Sequence, residues 1–182
     1  MKESYKNMRD FWLEPANLMP KNEKLPFLGE KRICIAGIEF AMADHEGVLK
    51  NIFIAGSSLG DASMYFENNS ASGIGGFIGG LGNPRVKEAS IAMLKIAGDM
   101  AHKMTEVKEL PKIDKAGEFI FFAIAVDHIY INKVAEADIN KTEHEFFKFF
   151  AETQNILIGF REAEAAEMAA KKAAPAEKED KK

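Results

Sequence analysis

Cysteine is almost absent from this chain of 182 residues, and Cys34 is its only representative. A single cysteine can form neither an intramolecular disulfide nor a cysteine-based zinc cage. Because Cys34 lies between Ile33 and Ile35, we expect a small buried thiol rather than a reactive one. These absences exclude disulfide-rich scaffolds and cysteine-ligated zinc modules.

Long apolar runs and an excess of positive charge are also missing. The longest uninterrupted apolar run, residues 119–126, is far shorter than the roughly 20 residues that a membrane-spanning helix needs. The first residues lack the apolar core of a signal peptide. The formal net charge is -4, and basic residues are interleaved with acidic ones. We therefore expect a cytoplasmic protein with no integral membrane segment and no nucleic-acid partner.

The first half of the chain predicts an antiparallel meander. Alternating apolar residues predict a strand over 33–42, interrupted or bulged at Gly37, and further strands over 48–55 and 62–66. The glycine-rich run 70–82 is a poor helix, because each of its six glycines costs about 1 kcal/mol relative to alanine. If it is helical, it must be held by close packing.

The second half predicts two long helices around further strands. Asn83 followed by Pro84 is a typical helix start, and the pattern predicts a helix over 84–107. A buried strand is expected over 118–126, with 129–134 as its continuation or its hairpin partner. A capping box at Thr142–Glu145 predicts a second long helix, with phenylalanines on its inner face.

These elements indicate an α+β fold: an antiparallel sheet packed by a long central helix, with an N-terminal arm and a C-terminal helix. The composition predicts an arm over 1–30, a single domain over 31–162 and a charged, disordered tail over 163–182. The sheet edges that such a fold leaves open make a homodimer a further possibility.

Metal and cofactor motifs are not found in the sequence. The histidines His45, His102, His128 and His144 lie on four different predicted elements, so we expect no metal site. The glycine-rich run matches neither a P-loop nor a dinucleotide-binding pattern, and no G-x-S-x-G elbow is present. We therefore predict no cofactor.

Five segments nevertheless follow one another in a distinctive order: Ile52-x-Ile54-x-Gly56-x-x-x-Gly60, Ala62-x-Met64-x-Phe66, Phe77-Ile78-Gly79-Gly80-Leu81, the helix segment Glu88 to Met100, and Leu110-Pro111 with Gly117. In this order they resemble the CheX/CheC chemotaxis phosphatases and their flagellar-switch relatives. The resemblance covers roughly residues 33 to 134. It implies a long helix that docks against a phosphorylated response regulator through a Glu-x-x-Asn signature.

The chain departs from that family at the signature itself. In the register set by Gly98-Asp99-Met100, the Asn position falls on Asp99 and the Glu position falls on Ile96. The family's amide orients the attacking water, whereas an ionised Asp can only accept hydrogen bonds and places negative charge beside the phosphoryl group. The resemblance therefore implies binding with weak or no aspartyl-phosphate phosphatase activity.

Three hypotheses follow. In the first, the protein is a phosphatase in which Asp99 is the catalytic residue and Lys95 or Lys103 contacts phosphate. In the second, it binds a response regulator or flagellar protein without chemistry. In the third, it is a hot-dog-like α+β domain that binds an apolar or acyl ligand. For the first two, the predicted binding surface is the polar face of helix 84–107, with the residues Glu88, Lys95, Ile96, His102 and Lys103.

Overall fold

In the described part of the chain, seven antiparallel strands form one sheet, which is flanked by helices on both faces. The computed structural model of the chain describes residues 1–18, 26–80 and 82–173. The strands are β1 (Ile35–Ala43), β2 (Leu49–Ser57), β3 (Ala62–Glu67), β4 (Ile74–Ile78), β5 (Thr105–Val107), β6 (Glu118–Ile124) and β7 (Ile129–Ala135). The helices are α1 (Glu3–Leu13), α2 (Pro84–Met100), α3 (Glu136–Ile139) and α4 (Phe147–Ala173). This architecture confirms the predicted α+β fold.

The sheet is assembled from two meanders that meet at β1. Its strand order is β4-β3-β2-β1-β6-β7-β5, so β1 pairs with β2 on one side and with β6 on the other. The predicted bulge at Gly37 is wrong, because pairing with both neighbours continues through it without an extra residue. Gly37 instead gives room to the ring of Phe122, whose Cζ would lie 2.6 Å from an added Cβ.

Alternating side chains divide β1 between two cores. Ile38 faces the core beneath α2 and α4, whereas Ile35 and Ala41 face the core beneath α1. Glu39 also points toward α1 and is fully buried. Its carboxylate accepts hydrogen bonds from Tyr5 Oη at 3.0 Å and from Arg9 Nε at 2.9 Å. The N-terminal helix therefore covers one face of the sheet through a buried polar contact as well as apolar packing.

The other face of the sheet is covered by α2 and α4, which run antiparallel to each other. The start of α2 meets the middle of α4, where Asn83 Nδ2 donates to the Gly159 carbonyl at 2.9 Å. The end of α2 meets the residues before α4, where Lys103 and Glu145 are paired at 2.8 Å. As predicted, phenylalanines line the inner side of α4, where Phe149 and Phe160 are buried; Phe146, directly before the helix, is fully buried as well.

Several predicted boundaries differ from the structure. The glycine-rich run forms a strand, β4, which pairs with β3. The helix predicted over 84–107 ends at Met100, because the chain turns through a 3-10 segment (Ala101–Lys103) and residues 105–107 pair with β7. Residues 129–134 lie in β7, the hairpin partner of β6. They therefore do not continue that strand, which was the other predicted possibility.

The predicted capping box is also wrong. The Thr142 hydroxyl contacts the adjacent Glu143 side chain at 3.4 Å, and α4 begins only at Phe147. Helix α4 continues to Ala173, eleven residues into the segment predicted as a tail. The remainder of that tail, 174–182, and residues 19–25 of the predicted arm lie outside the described residues.

Candidate functional site

Helix α2 is built to pack closely on three sides. Its N-cap is Asn83, whose side chain accepts a hydrogen bond from the Val86 backbone N–H at 3.2 Å. Toward the sheet, Ser90 and Met93 are fully buried, and Ser90 Oγ donates to the Ser57 carbonyl at 3.1 Å. These contacts hold the helix firmly against β2.

A second side of α2 is covered by a loop. At Gly98, an added Cβ would lie 3.0 Å from the Leu28 carbonyl oxygen and 3.2 Å from Gly29 Cα. The absence of a side chain therefore permits the close approach of residues 28–29. The third side packs against α4, where an added Cβ at Gly159 would lie 2.6 Å from Val86 Cγ2.

The fourth side of α2 is open, and it carries the predicted site. Glu88, Lys95 and Asp99 are all exposed and lie seven and four residues apart on one face of the helix. The structure describes both Lys95 and Asp99, and their side-chain charges are too far apart to form an ion pair. Within the described part of the chain, no side chain donates a hydrogen bond to the Asp99 carboxylate.

A groove beside Asp99 extends this open side toward α4. Its volume is about 440 Å³. From α2 and the turn that follows it, the groove is lined by Ile96, Asp99, Met100 and Lys103; from the residues before and at the start of α4, it is lined by 142–145 and Lys148. Two positions of the predicted signature, 96 and 99, therefore share one accessible surface. We call this surface, with its lining residues, the α2–α4 groove.

Lys103 is held by an ion pair within this groove. Its Nζ lies 2.8 Å from Glu145 Oε2, and both side chains are about half exposed. The hydrogen bond from Lys103 lowers the pKa of the Glu145 carboxyl below its usual value. The ammonium that was predicted to contact phosphate therefore already has a carboxylate partner.

His102 lies outside α2, in the 3-10 turn that follows it, so its predicted place on the helix face is wrong. Its Nδ1 lies 2.8 Å from the backbone carbonyl oxygen of Asp99. Glu106 lies in β5 and pairs with His128 at 2.9 Å, so it does not extend the polar face of α2. The polar face of the helix is thus shorter than the sequence predicted.

The α4 side of the groove could not be found by reading the sequence. Residues 142–148 lie more than 40 positions after Asp99, and only the antiparallel packing of α2 on α4 brings them together. Their mixed charge gives no local pattern that marks a site. Only the α2 side of the groove was indicated by the sequence, through positions 96 and 99 of the predicted helix.

Other reactive groups of the described residues do not form a second constellation at this surface. Cys34 is fully buried, and burial raises the pKa of its thiol to about 11, which confirms the inert thiol predicted for it. Across residues 1–18, 26–80 and 82–173, no three His, Cys, Asp or Glu side chains are grouped so that they could hold a metal ion. Within the same residues, no helix combines the length and the apolar character needed to cross a membrane.

The α2–α4 groove combines charged side chains with partly buried apolar ones. Asp99 accepts hydrogen bonds, Lys103 and Lys148 carry positive charge, and Ile96 and Met100 are half-buried apolar groups. Such a mixture of a partly apolar centre and charged surroundings is typical of protein-binding surfaces.

Comparison with known protein families, with characterised proteins and with solved structures gives no match for this chain.

Proposed function

We propose that this protein is a CheX-like signalling domain that binds a response regulator or a flagellar component through the open face of α2 and the α2–α4 groove. One observation carries the proposal. Positions 96 and 99, where the resemblance places the family signature, line the same accessible groove, and Asp99 is exposed. Such partners act in the cytoplasm, which is therefore the proposed location.

Binding is favoured over catalysis by the two side chains themselves. An ionised Asp99 cannot donate a hydrogen bond to a phosphoryl oxygen, and its charge would oppose the approach of that anion. Ile96 has no charge with which to engage a lysine of the partner. We therefore propose that phosphatase activity toward an aspartyl phosphate is weak or absent.

The binding proposal is tested by titrating the response regulators of the source organism into the labelled protein, each with and without a phosphoryl-group mimic. Asp99→Arg reverses the charge in the groove and should weaken binding by at least about tenfold. Glu46→Arg makes the same charge change on the exposed β1–β2 turn and should leave binding unchanged. If no regulator or flagellar-switch protein binds the wild type, the proposal is wrong.

The register is tested by restoring the signature. Ile96→Glu combined with Asp99→Asn would place a carboxylate and an amide together in the groove. We expect this double variant to dephosphorylate a bound regulator faster than the wild type does, as followed by loss of label against spontaneous decay. A folded double variant that binds the regulator but gives no gain would contradict the alignment of positions 96 and 99.

The alternative, a hot-dog-like domain that binds an acyl tail along its central helix, is supported less well. The space between α2 and the sheet is filled by Val86, Met93, Leu94 and Ala97, all of which are fully buried. A bound acyl group released by solvent extraction and identified by mass spectrometry would favour it over the signalling proposal. The homodimer stays a prediction, which sedimentation equilibrium would test.

A further inference from the structure

A second pocket lies away from the α2–α4 groove, between the sheet and the start of α4. Its volume is about 190 Å³. We call it the aromatic pocket and define it by its principal lining residues, Phe40, Met42, Phe119, Glu136, Phe150 and Gln154.

Contacts between its aromatic rings fix the walls of this pocket. Phe40 and Phe119 are directly paired across β1 and β6, and their rings stack with centroids 4.7 Å apart. Phe150 of α4 meets the ring of Phe119 edge-on, with centroids 5.7 Å apart and planes 79° apart. Because each ring is held by a neighbour, the site is formed before any ligand arrives.

The size of the pocket limits its occupant to one small group. A cavity of roughly 150 Å³ lined by apolar side chains accepts a benzene molecule, whereas drug-sized ligands need about 300–1,000 Å³. The aromatic pocket, at about 190 Å³, is therefore suited to a single ring or a short branched alkyl group. Met42, which is 57% exposed, lines the open side and can adjust to different shapes.

Charge at the pocket favours a cation. Among the described residues that line the pocket, Glu136 is the only ionisable one, and it is exposed. Within the described part of the chain Glu136 forms no ion pair, whereas the nearby Lys115 and Lys133 both pair with Glu118, at 3.3 and 3.1 Å.

We propose that the aromatic pocket binds a small organic monocation with a single-ring body, of the arylalkylammonium class. The ring of the ligand lies in the pocket against Phe40, Phe119 and Phe150, and its ammonium group lies at the mouth against the Glu136 carboxylate. The site is separate from the α2–α4 groove, so this proposal does not depend on the proposed signalling function.

The test is a titration followed by amide chemical shifts in the full-length protein, with 2-phenylethylammonium as the probe. Two ligands with the same ring serve as comparisons: neutral 2-phenylethanol and anionic phenylacetate. We expect the cation to bind most tightly, the alcohol at least about fivefold more weakly and the anion most weakly. The shifts should be centred on Phe119, Phe150 and Glu136, and the preference for the cation should shrink as salt is added.

Two variants distinguish this site from general attraction to an acidic protein. Glu136→Gln should abolish the preference for the cation over the alcohol, whereas Glu88→Gln, an exposed change on α2, should leave it intact. Phe150→Leu keeps an apolar side chain but removes a ring, and should weaken binding of cation and alcohol alike. Equal binding of cation and alcohol by the wild type, an unchanged preference in Glu136→Gln, or no saturable binding of any of the three ligands would overturn the proposal.

Discussion

At the scale of single residues, the pair Arg9 and Glu39 joins the N-terminal helix to the centre of the sheet. Arg9 is 6% exposed and Glu39 is fully buried, and the Arg9 Nε contacts both carboxylate oxygens at 2.9 Å. The Arg9 Nη2 also donates to the carbonyl oxygens of Leu110 and Pro111, each at 2.9 Å. One guanidinium thus connects α1, β1 and the segment before β6.

Removing only one member of this buried pair should be costly. Arg9→Met leaves the Glu39 carboxylate buried without its counter-charge, and we expect the free energy of unfolding in urea to fall by about 3–5 kcal/mol. Lys6→Met, which removes an exposed ion pair on the same helix, should leave the urea midpoint unchanged. Adding Glu39→Gln to Arg9→Met should recover much of the loss, and equal losses in the single and double variants would show that the unpaired charge is not their cause.

A second carboxylate, Glu67, gives the fold a dependence on pH. Burial acts to raise the pKa of Glu67, but hydrogen bonds from the Asn51 backbone and side chain and from the Lys2 backbone outweigh it and hold the pKa below its ordinary value of 4.5. The unfolded chain therefore binds a proton at higher pH than the native protein does. The stability that Glu67 contributes is present above about pH 4.5 and is lost as the pH falls through its lowered pKa.

Glu67→Gln should consequently flatten the fall in stability below about pH 4.5, as measured by urea midpoints across the acid range. His45→Gln, on the exposed β1–β2 turn, serves as the control. In that variant, stability should fall with pH in the acid range as steeply as it does in the wild type. A slope in Glu67→Gln that equals that of the wild type would assign the acid sensitivity to other carboxylates.

At the scale of elements, the approach of α2 to the sheet depends on Gly56. A Cβ at this position of β2 would clash with Ser90 Oγ and would lie 3.0 Å from Met93 Cε. Gly56→Ala should therefore push α2 outward and lower the free energy of unfolding by about 1–3 kcal/mol. Gly82→Ala, where an added Cβ has no neighbour within 4 Å among the described atoms, should change it by no more than about 0.5 kcal/mol. Equal effects of the two substitutions would mean that the helix can yield at Gly56.

Elements with a strong local pattern could be predicted from the sequence. The alternation in β1 to β3, the apolar run of β6 and the start of α2 at Asn83 each follow from adjacent residues. The strand β4 could not be recognised in the same way, because its glycines form no apolar alternation and it is stabilised by pairing with β3. The end of α2 was overestimated for the same reason, since pairing of residues 105–107 with β7 overrides their helical pattern.

The candidate site was predictable only in part, for a related reason. The exposed row Glu88, Lys95 and Asp99 follows from helical spacing alone. The walls contributed by the start of α4, and the aromatic pocket between β1, β6 and α4, arise from contacts between residues distant in sequence. Spacing along one element cannot reveal such surfaces.

At the scale of the whole molecule, the last part of α4 contributes little to the fold. Residues 161–172 are all exposed, whereas Ile156 and Phe160 are buried against the rest of the domain. A chain that ends after Glu162 should therefore have a free energy of unfolding within about 0.5 kcal/mol of that of the full-length protein. A chain that ends after Gln154 should fail to fold, because it loses those buried contacts and the stacking of Phe160 on Phe77. A large loss of stability in the chain that ends after Glu162, measured by thermal unfolding, would contradict this division of α4.

The anchoring of α1 also orders events during synthesis. This helix is translated before the groups that hold it, since Glu39 follows Arg9 by 30 residues and the carbonyl of Leu110 follows it by 101. The strand that completes its docking surface, β6, begins only at Glu118. During synthesis, α1 therefore lacks its complete docking surface until β6 has been made, and its apolar side can be bound by a chaperone in that interval.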